Sequence, residues 1–466
     1  MNCKTAVILA AGAGTRMKSE KPKVLHEVCG KPMVSHVTSQ VAKAGSDNII
    51  VIIGHDADRV HDAIADGNLK FALQKEQLGT GHAVMQAADL IPDDGDVFVL
   101  CGDTPLITAE TLRKFADFHE DKKNAVTVLT AVFDNPYGYG RIIRGDDDQL
   151  VKIVEQKDAG DEEKAVKEVN AGMYCFNAAF LKENITKLSS DNAQNEYYIT
   201  DLIAMAVEAG ADSEGRGGAG AYTVEDSDEI MGVNNRVQLA QASKVMCRRT
   251  AHMHMVNGVT IVDPDRVYIE NDVVIGNDTE IWPGAVLKGK TVIGSGCIIG
   301  SDCEIENSTV GDGTDILKSV IKDSSIGSGT HVGPFAYMRP GSIVGSGCKV
   351  GDFVEIKNAT FGDGSKAAHL AYIGDADVGK DVNVGCGVIF ANYDGVHKFR
   401  STAGDRAFIG SNSNLVAPVN IAEDAYIAAG TTVTEDIPAG ALCVGRSREV
   451  IEEGWVEKKG LMKPKR

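Results

Sequence analysis

The sequence predicts two folds in one chain: an α/β domain with a Rossmann-like, mostly parallel sheet, followed by a left-handed parallel β-helix of hexapeptide repeats. Up to about residue 226, short apolar runs alternate with amphipathic stretches, as is typical of strands and helices in an α/β sheet. From about residue 259, aliphatic residues recur every six positions, which is not a helical period and favours a β-helix. Between these regions, residues 227–256 have no glycine after Gly232 and predict a single linking helix.

The first domain, residues 1–226, contains short apolar runs that end at turn residues, as buried strands do. The runs are "TAVILAA" (5–11), "NIIVIIG" (48–54), "DVFVLCGD" (96–103) and "AVTVLTAVF" (125–133). Amphipathic stretches such as "GHAVMQAADL" (81–90) and "TAETLRKFADFHED" (108–121) lie between them. We therefore expect helices on both faces of the sheet.

The second domain, residues 257–466, is expected to be a β-helix with a C-terminal tail. Its hexad anchors are Ile275, Ile281, Leu287, Ile293, Ile299 and Ile305, then Val332, Met338, Val344, Val350 and Ile356, then Ile409, Leu415, Ile421, Ile427 and Val433. Glycine follows many anchors, which fits a tight corner. Cys297 and Cys303 occupy equivalent hexad positions and are predicted to be packing residues. The longest break in phase, residues 391–408, predicts a functional loop.

Composition narrows the class of protein. The 466 residues carry a formal net charge of −19, which disfavours nucleic acid and acidic membranes as partners. The ten cysteines form no C-x-x-C motif and suit reduced thiols. No apolar stretch reaches the ~18–20 residues of a membrane span, and the first apolar run is too short for a signal peptide. We expect a cytoplasmic protein.

The loop "LAAGAGTRM" (9–17) follows the first strand and has the composition of a phosphate-binding turn. It lacks the third glycine of a dinucleotide fingerprint, and no G-K-[ST] of a Walker A loop follows. The cations Arg16 and Lys23 come next, and a glycine-rich turn with fixed cations suits a triphosphate. Asp103 ends a strand in "CGDTPL", at the edge where α/β sheets bind ligands. One carboxylate there suits Mg²⁺ held together with substrate phosphates.

Further motifs give the chain a family resemblance. "KPKVL", "QLGTGHA" (77–83), "GYGRI" (138–142), "IVEQKD" (153–158) and "GVNNR" (232–236) resemble those of the sugar-1-phosphate nucleotidyltransferases. The second half contains "RPGS" (339–342), "VEIKNA" (354–359), "GSKAAHLAYIGD" (364–375), "NVGCG" (383–387), "ANYDG" (391–395) and "AAGTTVT" (428–434). Together they resemble the bacterial bifunctional N-acetylglucosamine-1-phosphate uridyltransferase / glucosamine-1-phosphate acetyltransferase family, over nearly the whole chain. This family supplies UDP-N-acetylglucosamine for cell-wall synthesis.

The resemblance implies a uridyl-transfer site in the first domain. The residues implied to bind UTP and the sugar are Leu9, Ala10, Ala11, Gly12, Arg16, Lys23, Gln74, Gly79, Thr80, Cys101, Gly102, Asp103, Gly140, Glu155, Asn170 and Asn234. Within this set, Gln74, Gly79 and Thr80 would surround the uracil. Gly140, Glu155 and Asn170 would hold the sugar. Asp103 and Asn234 would bind Mg²⁺, so the segment with Asn234 is expected to pack back over the site.

The resemblance also implies an acetyl-transfer site in the β-helix. His369 would be the base, because an amine must lose a proton to attack the thioester of acetyl-CoA. The glucosamine-1-phosphate would be bound by Arg339, Lys357, Tyr372 and Asn383. The acetyl-CoA would be bound by Cys386, Asn392, Tyr393, Ser411, Ala429 and Arg446. A prism-like β-helix has three flat faces, so we expect a homotrimer with closed cyclic symmetry. In the family that the chain resembles, acetyl-CoA is held between neighbouring subunits, so Arg446 is expected to act on a partner's site.

Two positions depart from the family pattern. Cys101 stands where tyrosine is common, and Cys386 stands where alanine is common. Both side chains are small enough to fit, and they suggest the hypothesis that the enzyme is sensitive to thiol reagents.

Three alternatives remain open at this stage. The chain could be a nucleotidyltransferase whose β-helix only assembles subunits, although the set Lys357, His369, Asn392 and Tyr393 argues against that. A trimeric zinc lyase resembling the carbonic anhydrases would need three protein ligands, and His331, His369 and His397 are irregularly spaced. A scaffold without catalytic activity is the third alternative.

Overall fold

The computed structural model describes residues 3–65, 67–145, 149–192, 194–211 and 217–461. The chain divides into two compact units, Met1–Arg248 and Arg249–Arg466. Among the described residues, no helix is both long and apolar enough to span a bilayer.

The first unit is built around a nine-stranded sheet. Its strands, and those of a small hairpin formed by β2 and β3, are β1 (Thr5–Leu9), β2 (Glu27–Val28), β3 (Lys31–Pro32), β4 (Asn48–Ile53), β5 (Leu69–Leu73), β6 (Asp96–Cys101), β7 (Val126–Val132), β8 (Arg141–Arg144), β9 (Leu150–Val154), β10 (Glu168–Asn177) and β11 (Ala219–Thr223). The main order is β11-β7-β10-β6-β1-β4-β5. Only β10 runs antiparallel within that described order, so the predicted mostly parallel sheet is confirmed.

Helices cover both faces of this sheet. They are α1 (Met33–Ala44), α2 (Ala57–Ile64), α3 (Thr80–Met85), α4 (Ala109–Lys122), α5 (Asp161–Lys164), α6 (Ala178–Ile185), α7 (Thr200–Ala209) and α8 (Arg236–Val256), with short 3₁₀ helices at Thr15–Met17, Lys23–Leu25, Ala88–Leu90 and Ser227–Ile230. Consecutive residues of β1 show the two-sided burial: Val7 and Ile8 are fully buried in different apolar clusters. The sheet is therefore sandwiched, and ligands can reach it only at the ends of its strands.

The linking helix is shorter than the sequence predicts. Residues 227–256 were expected to form one helix, but Ser227–Ile230 is a 3₁₀ turn and the α-helix begins only at Arg236. The Asn235 side chain accepts hydrogen bonds from the backbone N–H groups of Val237 and Gln238 at 3.0 Å. Because this is N-cap geometry, the helix cannot extend back through Asn235. Residues 231–235 instead form an irregular segment.

The second unit is a solenoid of short parallel strands. One set stacks Thr260–Ile261, Glu280–Ile281, Ile298–Ile299, Asp315–Ile316, His331–Val332, Lys349–Lys357, Lys366–Gly374, Asn383–Val384, Phe408–Ile409, Tyr426–Ile427 and Leu442–Cys443. A second set stacks Tyr268–Ile269, Val286–Lys288, Glu304–Glu306, Val320–Lys322, Tyr337–Met338, the ends of the two nine-residue strands, Ile389–Ala391, Asn414–Val416 and Thr432–Val433. The third set is Val274–Ile275, Val292–Ile293, Thr309–Val310, Ser325–Ile326, Ile343–Val344, Thr360–Phe361, Ala376–Val378, Ser401–Ala403 and Asn420–Ile421. A 3₁₀ turn, Pro264–Arg266, and a short helix, α9 (Trp455–Lys458), complete the unit.

These stacked sets form the predicted β-helix and are consistent with its left-handed type. All the hexad anchors predicted from the sequence are buried. The breaks in phase come from coils of unequal length. Ile281 pairs with Ile299, 18 residues later, but Ile299 pairs with Ile316, 17 residues later. Val384 pairs with Ile409, because residues 392–400 leave the solenoid as a loop.

Gly345 lies between the strand Ile343–Val344 and a turn, which agrees with the expected corner, and it also meets a second requirement. Gly345 is not in the left-handed region, yet a Cβ there would lie 2.5 Å from Oδ1 of Asp363 and 2.7 Å from its backbone nitrogen. The reason is close approach of successive coils. Cys297 and Cys303 are buried in the apolar interior, which agrees with their prediction as packing residues.

Candidate active sites

In the first unit, the carboxyl ends of β1 and β6 open into a cavity of about 310 Å³. Its lining is Leu9, Ala10, Ala11, Gly12, Lys23, Val24, Gln74, Gln77, Gly79, Thr80, Ala83, Cys101, Asp103 and Glu196. The loop after β1 needs glycine at Gly14, which has a φ of +62° and where a Cβ would collide with the side chain of Lys23. Glycine at this position therefore lets the Lys23 side chain lie close against the loop. The sequence analysis predicts that this loop and Lys23 bind the triphosphate.

A second cavity of about 370 Å³ shares Cys101 and Asp103 with the first. Its other lining residues are Arg16, Thr104, Tyr137, Gly138, Tyr139, Gly140, Glu155, Asn170, Ala171, Gly172, Ile230, Gly232, Asn234 and Gln238. Two cavities that meet at one carboxylate can hold two reactants on either side of it. Gly102 lines neither cavity, but its N–H donates to the carbonyl of Leu9 at 3.0 Å and so fixes β6 beside β1.

The meeting point of the cavities carries a cluster of opposite charges and amide dipoles. Lys23 forms an ion pair with Asp103. The Oδ1 atom of Asn234 accepts from Lys23 Nζ at 2.9 Å and from Arg16 Nη2 at 2.8 Å. The segment before α8 is held here because the N–H of Val233 donates to the carbonyl of Asp103 at 2.9 Å. The sequence-based expectation that this segment packs over the site agrees with these contacts.

Oxygen atoms of Asp103 and Asn234 both contact the ammonium group of Lys23, so the two oxygens lie close enough to bind one cation together. Carboxylate and amide oxygens are the ligands that Mg²⁺ accepts. Among the described residues, no group of three or more His, Cys, Asp or Glu side chains could hold a metal. The two protein oxygens therefore fit a magnesium ion that is completed by phosphate or water oxygens, as in other phosphoryl-transfer sites.

Backbone contacts order the three residues that are expected to surround the uracil. Gln74 is buried, and its amide donates to the carbonyl of Gly79 at 3.1 Å. Gly79 has a φ of +106°, and a Cβ there would lie 2.6 Å from the carbonyl oxygen of Tyr197. Thr80 begins α3, and its hydroxyl accepts from the N–H of Ile199 at 3.2 Å. These three residues form one wall of the first cavity.

Gly140, Glu155 and Asn170, which are expected to hold the sugar, line the second cavity. The N–H of Asn170 donates to the carbonyl of Gly140 at 2.9 Å, and a Cβ at Gly140 would lie 3.2 Å from Oε1 of Glu155. Burial raises the pKa of the Glu155 carboxyl, and the negative charge of Asp158 adds to the effect. Oδ1 of Asn170 accepts from the N–H of Gly172 at 2.8 Å. The second cavity is thus lined by preordered polar groups that suit a sugar.

The surroundings of Cys101 disfavour its thiolate form. Burial raises the pKa of its thiol to about 12, and the Asp103 carboxylate contributes. Its Sγ donates to the carbonyl of Gly172 at 3.2 Å. Since the thiolate is the reactive form, the hypothesis of thiol sensitivity is disfavoured at Cys101. Cys386, in contrast, is exposed.

Sequence reasoning missed several residues of this site. Tyr139 lies inside the motif "GYGRI", but the motif gives no reason to select it over its glycines. Gln238 lies four residues after Asn234, and its Oε1 accepts from the Asn234 N–H at 2.8 Å. The four-residue spacing between Asn234 and Gln238 at the start of a helix was the only feature of the sequence that could have indicated this contact. Glu196 comes from a distant loop and left no signal in the sequence.

In the second unit, two nine-residue strands bring a carboxylate to the predicted base. Lys349–Lys357 and Lys366–Gly374 pair in parallel, with Asp352 opposite His369. Nδ1 of His369 lies 2.7 Å from Oδ1 of Asp352. The hydrogen bond from His369 lowers the pKa of the Asp352 carboxyl. Donation from Nδ1 leaves Nε2 as the nitrogen that can accept a proton.

The cations expected to bind phosphate lie one coil apart. Arg339 Nη1 donates to Glu355 Oε1 at 2.8 Å, and Lys357 Nζ lies 3.6 Å from Asp375 Oδ2. Lys357 also lowers the pKa of the nearby Lys398 ammonium, to which the charge of Arg339 contributes. The three cations are therefore near one another, although Arg339 is paired with Glu355 and Lys357 with Asp375. Lys398 belongs to the loop predicted to be functional but was not selected there.

Asp375 organises this region and was not predicted. Burial alone would raise the pKa of its carboxyl, but hydrogen bonds and the charge of Lys357 outweigh it and lower the pKa. Its Oδ1 accepts from the Asn358 amide at 2.6 Å, and its Oδ2 accepts from the Asn392 amide. Asp375 therefore fixes both Lys357 and Asn392.

The residues expected to bind acetyl-CoA lie on successive coils. The N–H of Asn412 donates to the carbonyl of Cys386 at 2.7 Å, and the N–H of Gly430 to that of Ser411 at 2.8 Å. Arg446 Nη1 donates to the carbonyl of Ala429 at 2.5 Å. Cys386, Ser411 and Ala429 therefore form a column along one edge of the solenoid.

Three further predicted residues lie on this unit. Tyr393 lies on the loop and is 59% exposed. Tyr372 pairs with Glu355, and Asn383 pairs with Lys366, in the stacked strands. No hydrogen bond joins Tyr393 or Arg446 to His369 in the part of the chain that the structure describes.

Known proteins resemble this chain over nearly its whole length. Residues 5–219 match the nucleotidyl transferase family, and residues 269–360 match the GMPPB C-terminal domain family. The bifunctional protein GlmU of Clostridioides difficile (strain 630) is 55% identical over 459 residues, covering 98% of each chain. That of Alkaliphilus metalliredigens (strain QYMF) is 52% identical over 98% of this chain and 99% of the relative. That of Acetivibrio thermocellus is 49% identical over 99% of both. The chain therefore belongs to the family of the bifunctional GlmU proteins.

Proposed function

We propose the residues through which this chain carries out the two reactions of its family. The enzyme makes UDP-N-acetylglucosamine. It transfers acetyl from acetyl-CoA to glucosamine-1-phosphate and transfers UMP from UTP to N-acetylglucosamine-1-phosphate, releasing pyrophosphate. The observation that supports the assignment is that each unit holds its own reactive group. The first has the Lys23–Asp103–Asn234 cluster, and the second has the Asp352–His369 pair.

In the first unit, the chain's own residues align two anions and neutralise their charge. An oxygen of the sugar phosphate attacks the α-phosphorus of UTP in line, and the bond to pyrophosphate breaks. Arg16 and Lys23 balance the negative charge, and the backbone of residues 9–12 holds the phosphates. Asp103 and Asn234 would hold Mg²⁺, which when bound supplies charge neutralisation of the phosphate oxygens. Catalysis here is mainly positioning and electrostatic stabilisation.

In the second unit, His369 acts as the general base. The amine nitrogen of glucosamine-1-phosphate attacks the thioester carbon of acetyl-CoA, and Nε2 of His369 takes a proton from that amine. The C–S bond of the thioester then breaks to release CoA. Asp352 holds the imidazole through Nδ1. Arg339, Lys357 and Lys398 bind the sugar phosphate. Asn392, Tyr393 or a nearby backbone N–H donates to the oxyanion.

We further propose that the protein is a cytoplasmic homotrimer. Phe335 and Phe353 stack with ring centroids 5.5 Å apart, and both are more than half exposed. Leu370, next to the predicted base, is also exposed. An exposed apolar patch of this kind suits coverage by a neighbouring subunit. In a trimer, Arg446 would then reach the acetyl-CoA bound at a partner's site, and the ten thiols fit a reducing compartment.

One assay tests both activities. Glucosamine-1-phosphate, acetyl-CoA, UTP and Mg²⁺ are mixed with the enzyme, and free CoA and pyrophosphate are followed together. Both should appear, and chelation by EDTA should stop pyrophosphate release while CoA release continues. Loss of both products with EDTA would contradict a metal-dependent site beside a metal-independent one. Light scattering should give a trimer, and a stable monomer with full acetyl transfer would contradict the subunit proposal.

A further inference from the structure

The β2–β3 hairpin carries a cysteine at its turn. Cys29 and Gly30 are the two turn residues, with φ values of +45° and +79°. Two-residue turns of this kind favour asparagine or aspartate before glycine, because those residues tolerate a positive φ. A cysteine in this position is locally unfavourable. Its side chain lies against helix α8 and is buried.

On α8, the partner is a second cysteine. Sγ of Cys29 lies 2.9 Å from Sγ of Cys247, and 3.8 Å from the carbonyl oxygen of Ser243, one helical turn earlier. An S–S bond is about 2.05 Å long, so the two sulfur atoms need to move together by less than an ångström. Cys247 is partly exposed. A small oxidant can therefore reach the pair from the Cys247 side.

Apolar packing holds the two thiols at this distance. Val28, which precedes Cys29, and Met33, which follows the hairpin, are fully buried in one cluster with Ala242 of α8. Met246, next to Cys247, packs against the same cluster. Because both elements are fixed by this cluster, the approach of the two sulfurs follows from the fold itself.

We propose that Cys29 and Cys247 form a redox modification site, at which a peroxide converts the two thiols to an intramolecular disulfide. The Cys247 thiolate attacks one peroxide oxygen, the O–O bond breaks, and a sulfenic acid and one water form. The sulfur of Cys29 then attacks the sulfenic sulfur, the S–O bond breaks, and a second water leaves. In total, two thiols and one hydrogen peroxide give one disulfide and two waters. A dithiol reductant reverses the modification by exchange.

A second cysteine pair provides the contrast within the same unit. Cys3 and Cys175 are both fully buried. Burial, followed by the hydrogen bond between the two side chains, raises the pKa of the Cys175 thiol. A thiol that is inaccessible and resists ionisation reacts poorly with peroxide. Proximity alone is therefore insufficient, and the partial exposure of Cys247 distinguishes the proposed site.

The disulfide would join distant parts of the chain. Cys29 and Cys247 are 218 residues apart in sequence, so their bond closes a long loop and restricts the unfolded state of the first unit. The hairpin follows the segment with Lys23, and α8 follows the segment with Asn234. The bond would therefore tie together two segments that border the first site.

The test uses the full-length protein and hydrogen peroxide. The reduced protein is treated with a small molar excess of peroxide, remaining thiols are alkylated, and proteolytic peptides are mapped by mass spectrometry without reduction. We expect one linked peptide pair containing Cys29 and Cys247, which disappears after treatment with dithiothreitol. We also expect the thermal midpoint of the oxidised protein to rise by several degrees. Cys247→Ser should abolish both the linked peptide and the rise.

The controls make each outcome decisive. Cys175→Ser should leave the linked peptide in place, because the buried pair does not take part. Cys386→Ser should also leave it in place and only remove oxidation of an exposed thiol. Alkylation of Cys29 and Cys247 to the same extent before and after peroxide, while Cys386 is oxidised, would overturn the proposal. So would a linked peptide that persists in Cys247→Ser, since the bond would then belong to another cysteine.

Discussion

Oδ1 of Asp352 lies 2.7 Å from Nδ1 of His369, on neighbouring coils whose strands pair in register. The carboxylate faces the ring nitrogen that is not needed to accept the substrate proton. It therefore selects the tautomer with a proton on Nδ1, and in the proposed reaction it would stabilise the imidazolium. Asp352 is a positioning residue, since it acts on the substrate only through His369.

Asp352→Ala should lower acetyl transfer through this contact. We expect kcat for CoA release to fall by roughly 10²-fold, within the range for a positioned acid–base group, with little change in KM for glucosamine-1-phosphate. An unchanged kcat for CoA release in Asp352→Ala would contradict the assignment.

Asp103→Asn should separate the two activities. A neutral amide replaces the charged oxygen that pairs with Lys23 and that is proposed to hold Mg²⁺. We expect uridyl transfer to fall by roughly 10²- to 10³-fold, the usual effect of removing one electrostatic stabiliser. Acetyl transfer should be almost unchanged. Pyrophosphate release near the parent rate at saturating Mg²⁺ would remove Asp103 from the metal site.

Glu168 should make the first unit sensitive to acid. Burial alone would raise the pKa of its carboxyl, but hydrogen bonds from Arg144 at 2.7 Å and from Thr130 outweigh burial and lower it. A depressed folded pKa contributes stability above the ordinary carboxyl pKa, and this contribution is lost as pH falls through the folded value.

Glu168→Gln should therefore reduce the free energy of unfolding of the first unit by about 2 kcal/mol at pH 7. The difference from the parent should shrink as the pH approaches the depressed pKa. Urea unfolding at a series of pH values measures it. Glu110→Gln is the matched control, because Glu110 is an exposed partner of Lys114 at 3.1 Å and should change stability little. A difference that is constant with pH would show that the charge is not responsible.

Gly345→Ala should destabilise the β-helix by roughly 1–3 kcal/mol, because the added methyl group collides with the backbone of the next coil. Gly347 is the matched control two residues away. It has a φ of +65° and open space around its Cβ position, and Gly347→Asn should be well tolerated because asparagine adopts such backbones. Chemical unfolding measures the free energy of unfolding of both variants. The comparison separates the effect of close approach at Gly345 from that of backbone conformation at Gly347. Equal, small effects would contradict the close-approach explanation.

Much of the fold could be predicted because its signals are periodic. The hexad anchors, such as Ile299 and Val350, are buried since a six-residue period leaves one side chain per strand facing inward. The start of α8 could not be predicted from the absence of glycine, because the cap at Asn235 depends on side-chain geometry. The close approach at Gly345 could not be predicted either, because it involves Asp363, on a coil 18 residues later.

In the candidate sites too, some residues could be predicted from the sequence and others could not. Motifs led to Lys23, Asp103 and Asn234, and the structure brings these residues together. Asp352 was missed because it lies outside the quoted motifs and acts on His369 from the neighbouring coil. Asp375 ends the motif "GSKAAHLAYIGD", but its contact with Lys357 also crosses coils, and the motif alone does not show it. The register of strand pairing determines which side chains meet between coils. That register can be assigned only when the unequal coil lengths are known.

The most direct test of the account measures both reactions in His369→Ala. Removing a positioned base should lower CoA release from acetyl-CoA and glucosamine-1-phosphate by roughly 10²- to 10⁴-fold. The same preparation, shown to be folded and in the parent's oligomeric state, should form UDP-N-acetylglucosamine from UTP and N-acetylglucosamine-1-phosphate at close to the parent rate. CoA release at close to the parent rate would contradict the role of His369, and a parallel loss of uridyl transfer would contradict two independent sites.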